Sequence, residues 1–230
     1  FLIRHAKGKL RKTMAIVMAL VIFAAIVFTR SRTPIVVSAL MFIVFLLRQV
    51  SWRTGIGIVV LLLTGLTVLH LSNDRIFWRF TQVERDAGHR ARIWGYAARA
   101  FAENPVTGYG LGTFQYYLLQ NTTEPDRDLT KYDHAHCNIL EAAQAGGLIW
   151  LIVFLTFWGR VLWDSWRMAW RETEEPWKAG FFILFLMNAA FHLEGLTECN
   201  IMDTEVVLQY YFIVGVFYWL RSNRLASAEE

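Results

Sequence analysis

Six apolar runs, most of them flanked by arginine or lysine, constrain this chain more than any other feature. They cover about residues 14–28, 34–47, 55–71, 147–163, 179–196 and 205–220. A chain of 230 residues that is 55% hydrophobic and holds 10 Trp is too apolar for an ordinary water-soluble domain. The runs approach the length of bilayer-crossing helices, which need about 20 residues. The sequence therefore predicts an all-α fold, a polytopic membrane bundle with about six transmembrane helices. The first two runs are short, so they need snorkelling flanks or form one hairpin with a polar corner.

The flanks order these runs across a membrane. Arg4, Lys7, Lys9, Arg11 and Lys12 precede the first run, and Arg48 and Arg53 separate the second from the third. Arg167, Arg171 and Lys178 separate the fourth from the fifth, and Arg221 and Arg224 follow the last. Positive flanks mark the cytoplasmic side, so both termini are expected inside. Trp163, Trp166, Trp170 and Trp177 crowd the same border, as an interfacial aromatic belt does. The net charge of +4 reflects these flanks and gives no argument for nucleic acid. The expected organisation is 1–71 (basic segment and three spans), 72–146 (an outer loop, partly helical) and 147–230 (three spans). The start at Phe1, within a basic stretch, reads as the C-terminal part of a longer protein.

Arg30 and Arg32 break the charge rule. They follow the first run at its outer end, where topology asks for no arginine, and ionisable groups at membrane depth point to function. The outer loop is too long for a simple connection. From Ala87 to Glu103 it reads as a helix, with Ile93, Trp94, Ala97, Ala98 and Phe101 at three- and four-residue spacing. This helix is expected to lie on the outer membrane surface. Asn104-Pro105 ends it, since a residue before proline avoids helical geometry. Gly108, Gly110 and Gly112 then form a turn whose spacing is not a dinucleotide fingerprint.

Two constellations carry chemistry. Arg90 and Trp94 share one helix side, while Arg92 points elsewhere. Arg32 and Arg90 could converge on a dianionic phosphate, for which the guanidinium fork is suited, or Arg30 and Arg32 could snorkel to headgroups. His134 and His136, beside Asp133, could be general base, metal ligands or interfacial residues without a role. No further His or Cys cluster completes a metal site, and a base near neutral pH is chemically easier. Cys137 and Cys199 both fall outside and could pair in an oxidising compartment. Glu194, Glu198 and Asp203 form an acidic outer turn that could orient the arginines or a histidine.

Taken in order, four stretches resemble the O-antigen ligase and polymerase superfamily of polytopic glycosyltransferases. They are Thr29-Arg30-Ser31-Arg32, Arg90-Ala-Arg-Ile-Trp94, Asn104-Pro105 through Gly108, Gly110, Gly112 and Phe114, and His134-Ala-His136-Cys-Asn138-Ile-Leu140-Glu141 with Gly147 following. The resemblance implies Arg32 and Arg90 as diphosphate-binding arginines and His136 as the catalytic histidine, with Arg30, Arg92 and His134 as neighbouring substrate contacts. His136 is preferred to His134 because Gly147 stands at the family's usual distance from it. Cys137 departs from the small amide or hydroxyl common after that histidine.

The activity so implied moves a glycan from undecaprenyl diphosphate to lipid A–core at the periplasmic face of the bacterial inner membrane. It proceeds with inversion and without metal or cofactor. The expected partners are that lipid-linked donor, the lipid A–core or glycan acceptor, and membrane lipids. A polymerase that extends lipid-linked glycan and a transferase to protein hydroxyls share the donor chemistry. A non-catalytic anion channel or transporter half is the alternative of another class, although no internal repeat supports it.

Overall fold

The computed structural model describes residues 31–49 and 83–227 continuously, with isolated positions between 21 and 67. The chain divides into two compact units, Phe1–Val83 and Glu84–Glu230.

In the first unit, helix α1 (Arg32–Gln49) covers the second apolar run. Pro34 sits in its first turn, where a missing N–H leaves no bond unmade. Val37 is buried, whereas Val36, Leu40, Phe42 and Leu47 are exposed, so the helix is apolar all round. The runs expected at 14–28 and 55–71 fall mostly outside the described residues, and so does Arg30.

The second unit opens with α2 (Val83–Glu103). Its buried stripe is Ile93, Tyr96, Ala97 and Ala100, one face at helical spacing. Trp94 and Phe101 are half-buried and Ala98 is exposed, so the stripe is turned slightly from the expected one. That face packs on Phe114, Tyr117 and Leu118 of α3 (Phe114–Asn121), on Leu129 of a 3₁₀ turn (Asp126–Lys131) and on Ala135. The loop builds a small core of its own, and α3 and the 3₁₀ turn cover the stripe.

Helix α4 (Asn138–Arg171) is broken at Gly147, whose φ of 60° and ψ of −158° are not helical. A break exposes backbone groups on both sides of it, and the glycine-rich loop satisfies them. Tyr109 and Gly110 donate N–H bonds to the carbonyls of Gln144 and Ala145 (2.9 and 2.7 Å). In return the N–H groups of Leu148 and Ile149 donate to the carbonyls of Pro105 and Val106 (2.7 and 3.4 Å). The approach requires glycine twice. A Cβ on Gly108 (φ +65°) would strike the Gln144 and Ala145 carbonyls, and one on Gly147 would strike Val106 and Thr107 backbone. The loop glycines thus make a structural turn, and the fourth apolar run begins at the break.

Beyond the break, α4 packs with α5 (Trp177–Glu194) and α6 (Thr204–Ala226). Phe154, Trp158 and Val161 of α4 meet Phe191 of α5 and Tyr210 and Val214 of α6. Trp158 stacks on Phe191 at 5.2 Å between centroids, and Phe191 on Tyr210 at 4.0 Å. At the far end the buried Asp164 carboxylate receives Arg160 and Arg221, each at 3.0 Å, and Arg224 pairs with Glu172 at 2.7 Å. Burial pushes the Glu172 carboxyl up, but Arg224 and the Glu174 and Thr173 N–H groups outweigh it and hold it below its ordinary range. Outward, Leu148, Ile149, Ile152, Val153, Leu155, Leu208 and Phe212 remain exposed. Among the described residues one helix, α4, is long and apolar enough to cross a membrane by length and composition.

Candidate active site

The residues between the 3₁₀ turn and α4 form a short connector, and its conformation is set by two side chains and one backbone carbonyl from elsewhere. His136 has φ +49°, the one positive value at a non-glycine among the described residues. Left-handed backbone is costly for a residue with a Cβ and persists only where its surroundings hold it. Before it, the Ala135 N–H donates to Glu141 Oε2 at 2.8 Å. The carbonyl of His136 itself accepts the Trp94 indole N–H at 3.4 Å. After it, the Asn138 N–H donates to the Gly195 carbonyl at 2.8 Å.

Asn138 also locks the turn that follows α5. Its Oδ1 accepts the Ile201 N–H at 3.3 Å, and its amide lies so close to Gly195 that a Cβ there would collide with it. The turn so held carries Glu198, whose two oxygens face two site residues. Arg90 Nη2 reaches Oε1 at 2.5 Å, and His136 Nδ1 reaches Oε2 at 3.2 Å. Burial pushes the Glu198 carboxyl up, but the His136 bond and the charges of Arg90, His136 and His134 outweigh it. The group is held below its ordinary range and is a carboxylate at neutral pH. As a carboxylate it accepts an Nδ1–H of His136, a bond that engages Nδ1 and not Nε2.

Around this core, the His134 ring stands edge-on to His136 at 4.4 Å and the Tyr132 ring does so at 5.2 Å. His134 Nδ1 is bonded to the exposed Asp133 carboxylate at 2.5 Å. The side chains of Arg90, His136 and Glu198 are 28, 19 and 30% exposed, so an incoming ligand can reach them.

The sequence-derived residues divide into three groups. Arg90, His134 and His136 come together. Arg92, on the other side of α2, pairs with Asp126 (2.6 Å) and Asp128 (3.3 Å) of the 3₁₀ turn. The Asp126 bond raises its pKa, and His89 and Tyr96 complete this cluster through Asp128 (2.7 Å) and Asp126 (3.0 Å). Arg32, the first residue of α1, belongs to the other unit, and Arg30 lies outside the described residues. Both cysteines are buried and free rather than paired, and burial pushes the Cys199 thiol well above its ordinary range. Among the described residues no three His, Cys, Asp or Glu side chains are grouped to hold a metal ion.

Glu198 had a visible signal, an acid in the outer turn between the last two apolar runs, where it could orient an arginine or a histidine. Glu141 had none. An acid in the first turn of a helix reads as a match to the helix dipole, and nothing in the sequence tells that it is wholly buried.

Comparison with known proteins bears on the whole arrangement. A family described as O-antigen ligase matches residues 17–155, a stretch that takes in α1, α2, the glycine turn and the histidine connector. Over 81 residues the chain is 32% identical to a protein of Rickettsia conorii (strain ATCC VR-613 / Malish 7) provisionally named a polysaccharide ligase, covering 34% of this chain and 20% of that one. It is 30% identical over 81 residues to a similarly named protein of Rickettsia felis (strain ATCC VR-1525 / URRWXCal2), with the same coverage. The match spans about a fifth of the length of these curated relatives. Since the family match extends over more than half of its residues and contains Arg90, His134 and His136, this chain belongs to the O-antigen ligase family, whose members are glycan-transferring enzymes.

Proposed function

We propose that this chain carries the reaction centre of a glycosyltransferase moving a glycan from undecaprenyl diphosphate to a sugar hydroxyl of lipid A–core. The reaction takes place at the periplasmic face of the bacterial inner membrane, in a bundle whose six apolar runs cross the bilayer. The observation that supports this reading is the Glu198 carboxylate shared between Arg90 and His136. It puts an anion-binding guanidinium and an oriented imidazole on one carboxylate, which suits a reaction needing both a stabilised leaving group and a base.

The chemistry follows from that arrangement. Arg90 binds the donor diphosphate and stabilises the charge that grows on it as the glycosyl bond breaks. His136 Nε2 takes the proton of the acceptor hydroxyl while its oxygen attacks the anomeric carbon. One C–O bond forms, the C–O bond to phosphate breaks, and the lipid diphosphate departs with the bonding pair. Attack opposite the leaving group inverts the anomeric centre. Glu198 stabilises the imidazolium that forms, and the proton then passes to solvent. His134 borders the acceptor side. Arg92, already engaged by two aspartates, supports the scaffold under Arg90.

The experiment uses the full-length parent protein in liposomes with undecaprenyl-diphosphate glycan, with and without lipid A–core, and resolves products by size. A glycan-bearing lipid A band that needs the acceptor is the expected result. A ladder of longer lipid-linked glycans without lipid A–core would assign a polymerase instead, and no consumption of donor would overturn the reading.

A further inference from the structure

We propose that Glu141 is the positioning residue for His136, holding the connector in its left-handed turn through one backbone bond. This rests on the reading of His136 as the base. Glu141 is the most completely enclosed carboxylate near the site, with no solvent exposure, and its side-chain hydrogen bonds go to Ala135 and Gln144. A buried carboxylate is costly unless its oxygens are bonded, and here both are. Oε2 accepts the Ala135 N–H at 2.8 Å, and Oε1 accepts the Gln144 amide N–H at 2.9 Å.

The geometry explains why an acid is placed there. The peptide N–H of Ala135 points into the protein, with α2 and α3 packed around the alanine, so it cannot turn to water. Were it left unpaired, the connector would relax toward an ordinary backbone conformation, and His136 would lose the φ of +49° that aims its ring at Glu198. Trp94 fixes the following carbonyl at a longer 3.4 Å, so Glu141 supplies the shorter of the two restraints that bracket the residue. Burial pushes the Glu141 carboxyl up, and the Ala135 and Gln144 bonds counter it, which fits an acceptor whose task is geometric.

Gln144 adds a second, independent observation. Its own Oε1 is buried and has no hydrogen-bond partner. If Glu141 becomes glutamine, the new amide oxygen can still accept the Ala135 N–H. Its NH₂ can then donate to the Gln144 oxygen once that amide turns over. The pocket therefore accommodates a neutral isostere, but not a truncation.

The test compares Glu141→Ala, Glu141→Gln and His136→Ala in the full-length enzyme, reading kcat and the donor KM, with thermal unfolding to confirm folding. Glu141→Ala is expected to lower kcat on the order of 10²-fold, as misplacement of a reacting group does, with the donor KM within about threefold because Arg90 is untouched. Glu141→Gln is expected within about threefold of the parent in both. Should the alanine variant not fold, Gln144→Met, which removes the brace and keeps the volume, is expected to lower kcat with KM unchanged. A glutamine variant as impaired as the alanine variant would show that charge matters rather than the bond, and would overturn the proposal. A folded alanine variant, or methionine variant in its place, at parental kcat would do so too. If His136→Ala is inactive in that case, only this proposal falls. If His136→Ala retains the parental rate, the reading of His136 as base falls and takes the proposal with it.

Discussion

Arg90 and His136, 46 positions apart, are joined by the two oxygens of one carboxylate, that of Glu198 (2.5 and 3.2 Å). This pairing sets a carboxylate against the Arg90 guanidinium beside the His136 ring. In the proposed mechanism a diphosphate would take over Arg90, leaving Glu198 to hold the imidazole Nδ1–H and to stabilise the imidazolium, so that one carboxylate would link donor binding to readiness of the base.

Glu198→Gln is expected to lower kcat by about 10–10³-fold, since an amide can present the wrong hydrogen-bonding partner to the Nδ1–H and does not stabilise the imidazolium. The donor KM should fall or stay unchanged, because Arg90 loses a competitor for the diphosphate. Initial rates across donor concentrations decide this, and an unchanged kcat would remove Glu198 from the site. The sign of the acid response follows from its lowered pKa. The stabilisation from this group is present above its ordinary value of 4.5 and is lost as pH falls through the lower folded-state value. The Glu198→Gln variant should lack that part of the acid-induced destabilisation.

Much of this was legible from spacing alone. The apolar runs in the second unit, the helix ended by Asn104-Pro105, and the shared side of Arg90 and Trp94 all follow from periodicity and turn chemistry. The elements that sequence did not yield depend on contacts across long separations. The residues that cover the apolar face of α2, Phe114, Tyr117 and Leu129, are scattered through a polar stretch, so spacing alone does not pair them with it. Nothing in the spacing pairs Asp126 and Asp128 with Arg92, 34 and 36 residues before them; the 3₁₀ turn brings them to it. Glu141 resembled a helix-start acid, and only the fold shows that the Ala135 N–H turns inward to meet it.

The break in α4 can be tested by pairing two glycines. Gly147→Ala forces a Cβ into the Val106–Thr107 backbone at a φ of +60° and is expected to cost about 1–3 kcal/mol, the range for backbone held in an unfavourable region. Gly159→Ala, in the same helix with nothing within 4 Å of the added Cβ, is expected to be neutral or to stabilise by up to about 1 kcal/mol. Thermal unfolding of the full-length protein in one detergent reads both. Equal melting temperatures for the two variants would refute the special role of residue 147.

The cysteines give a chemical check on the site's packing. Both thiols are free and buried, and burial disfavours the thiolate at Cys199. Alkylation under native conditions should therefore be slow at both positions. After denaturation each should take up one equivalent whether or not a reductant is added. A mass that changes only with reductant would reveal a disulfide and contradict the arrangement of Cys137 and Cys199 described above.

The two arginines of α2 should separate cleanly. Arg90 faces Glu198 and the histidines, so Arg90→Ala is expected to raise the donor KM and lower kcat, with the product ratio kcat/KM falling about 10²-fold or more, as for loss of a preorganised electrostatic donor. Lysine should not rescue it, since a point charge cannot replace the planar fork at a diphosphate. His136→Ala should reduce kcat about 10²–10⁴-fold, as loss of a general base does, with the donor KM little changed. Arg92 sits on the opposite side with Asp126 and Asp128, and its side chain is 36% exposed. Solvent screening limits what that pairing contributes to below about 1 kcal/mol. Arg92→Ala should thus loosen the 3₁₀ turn, seen as faster amide exchange over residues 126–131, while kcat/KM stays within about threefold. A donor KM raised as much by Arg92→Ala as by Arg90→Ala would instead place both guanidinium groups on the diphosphate.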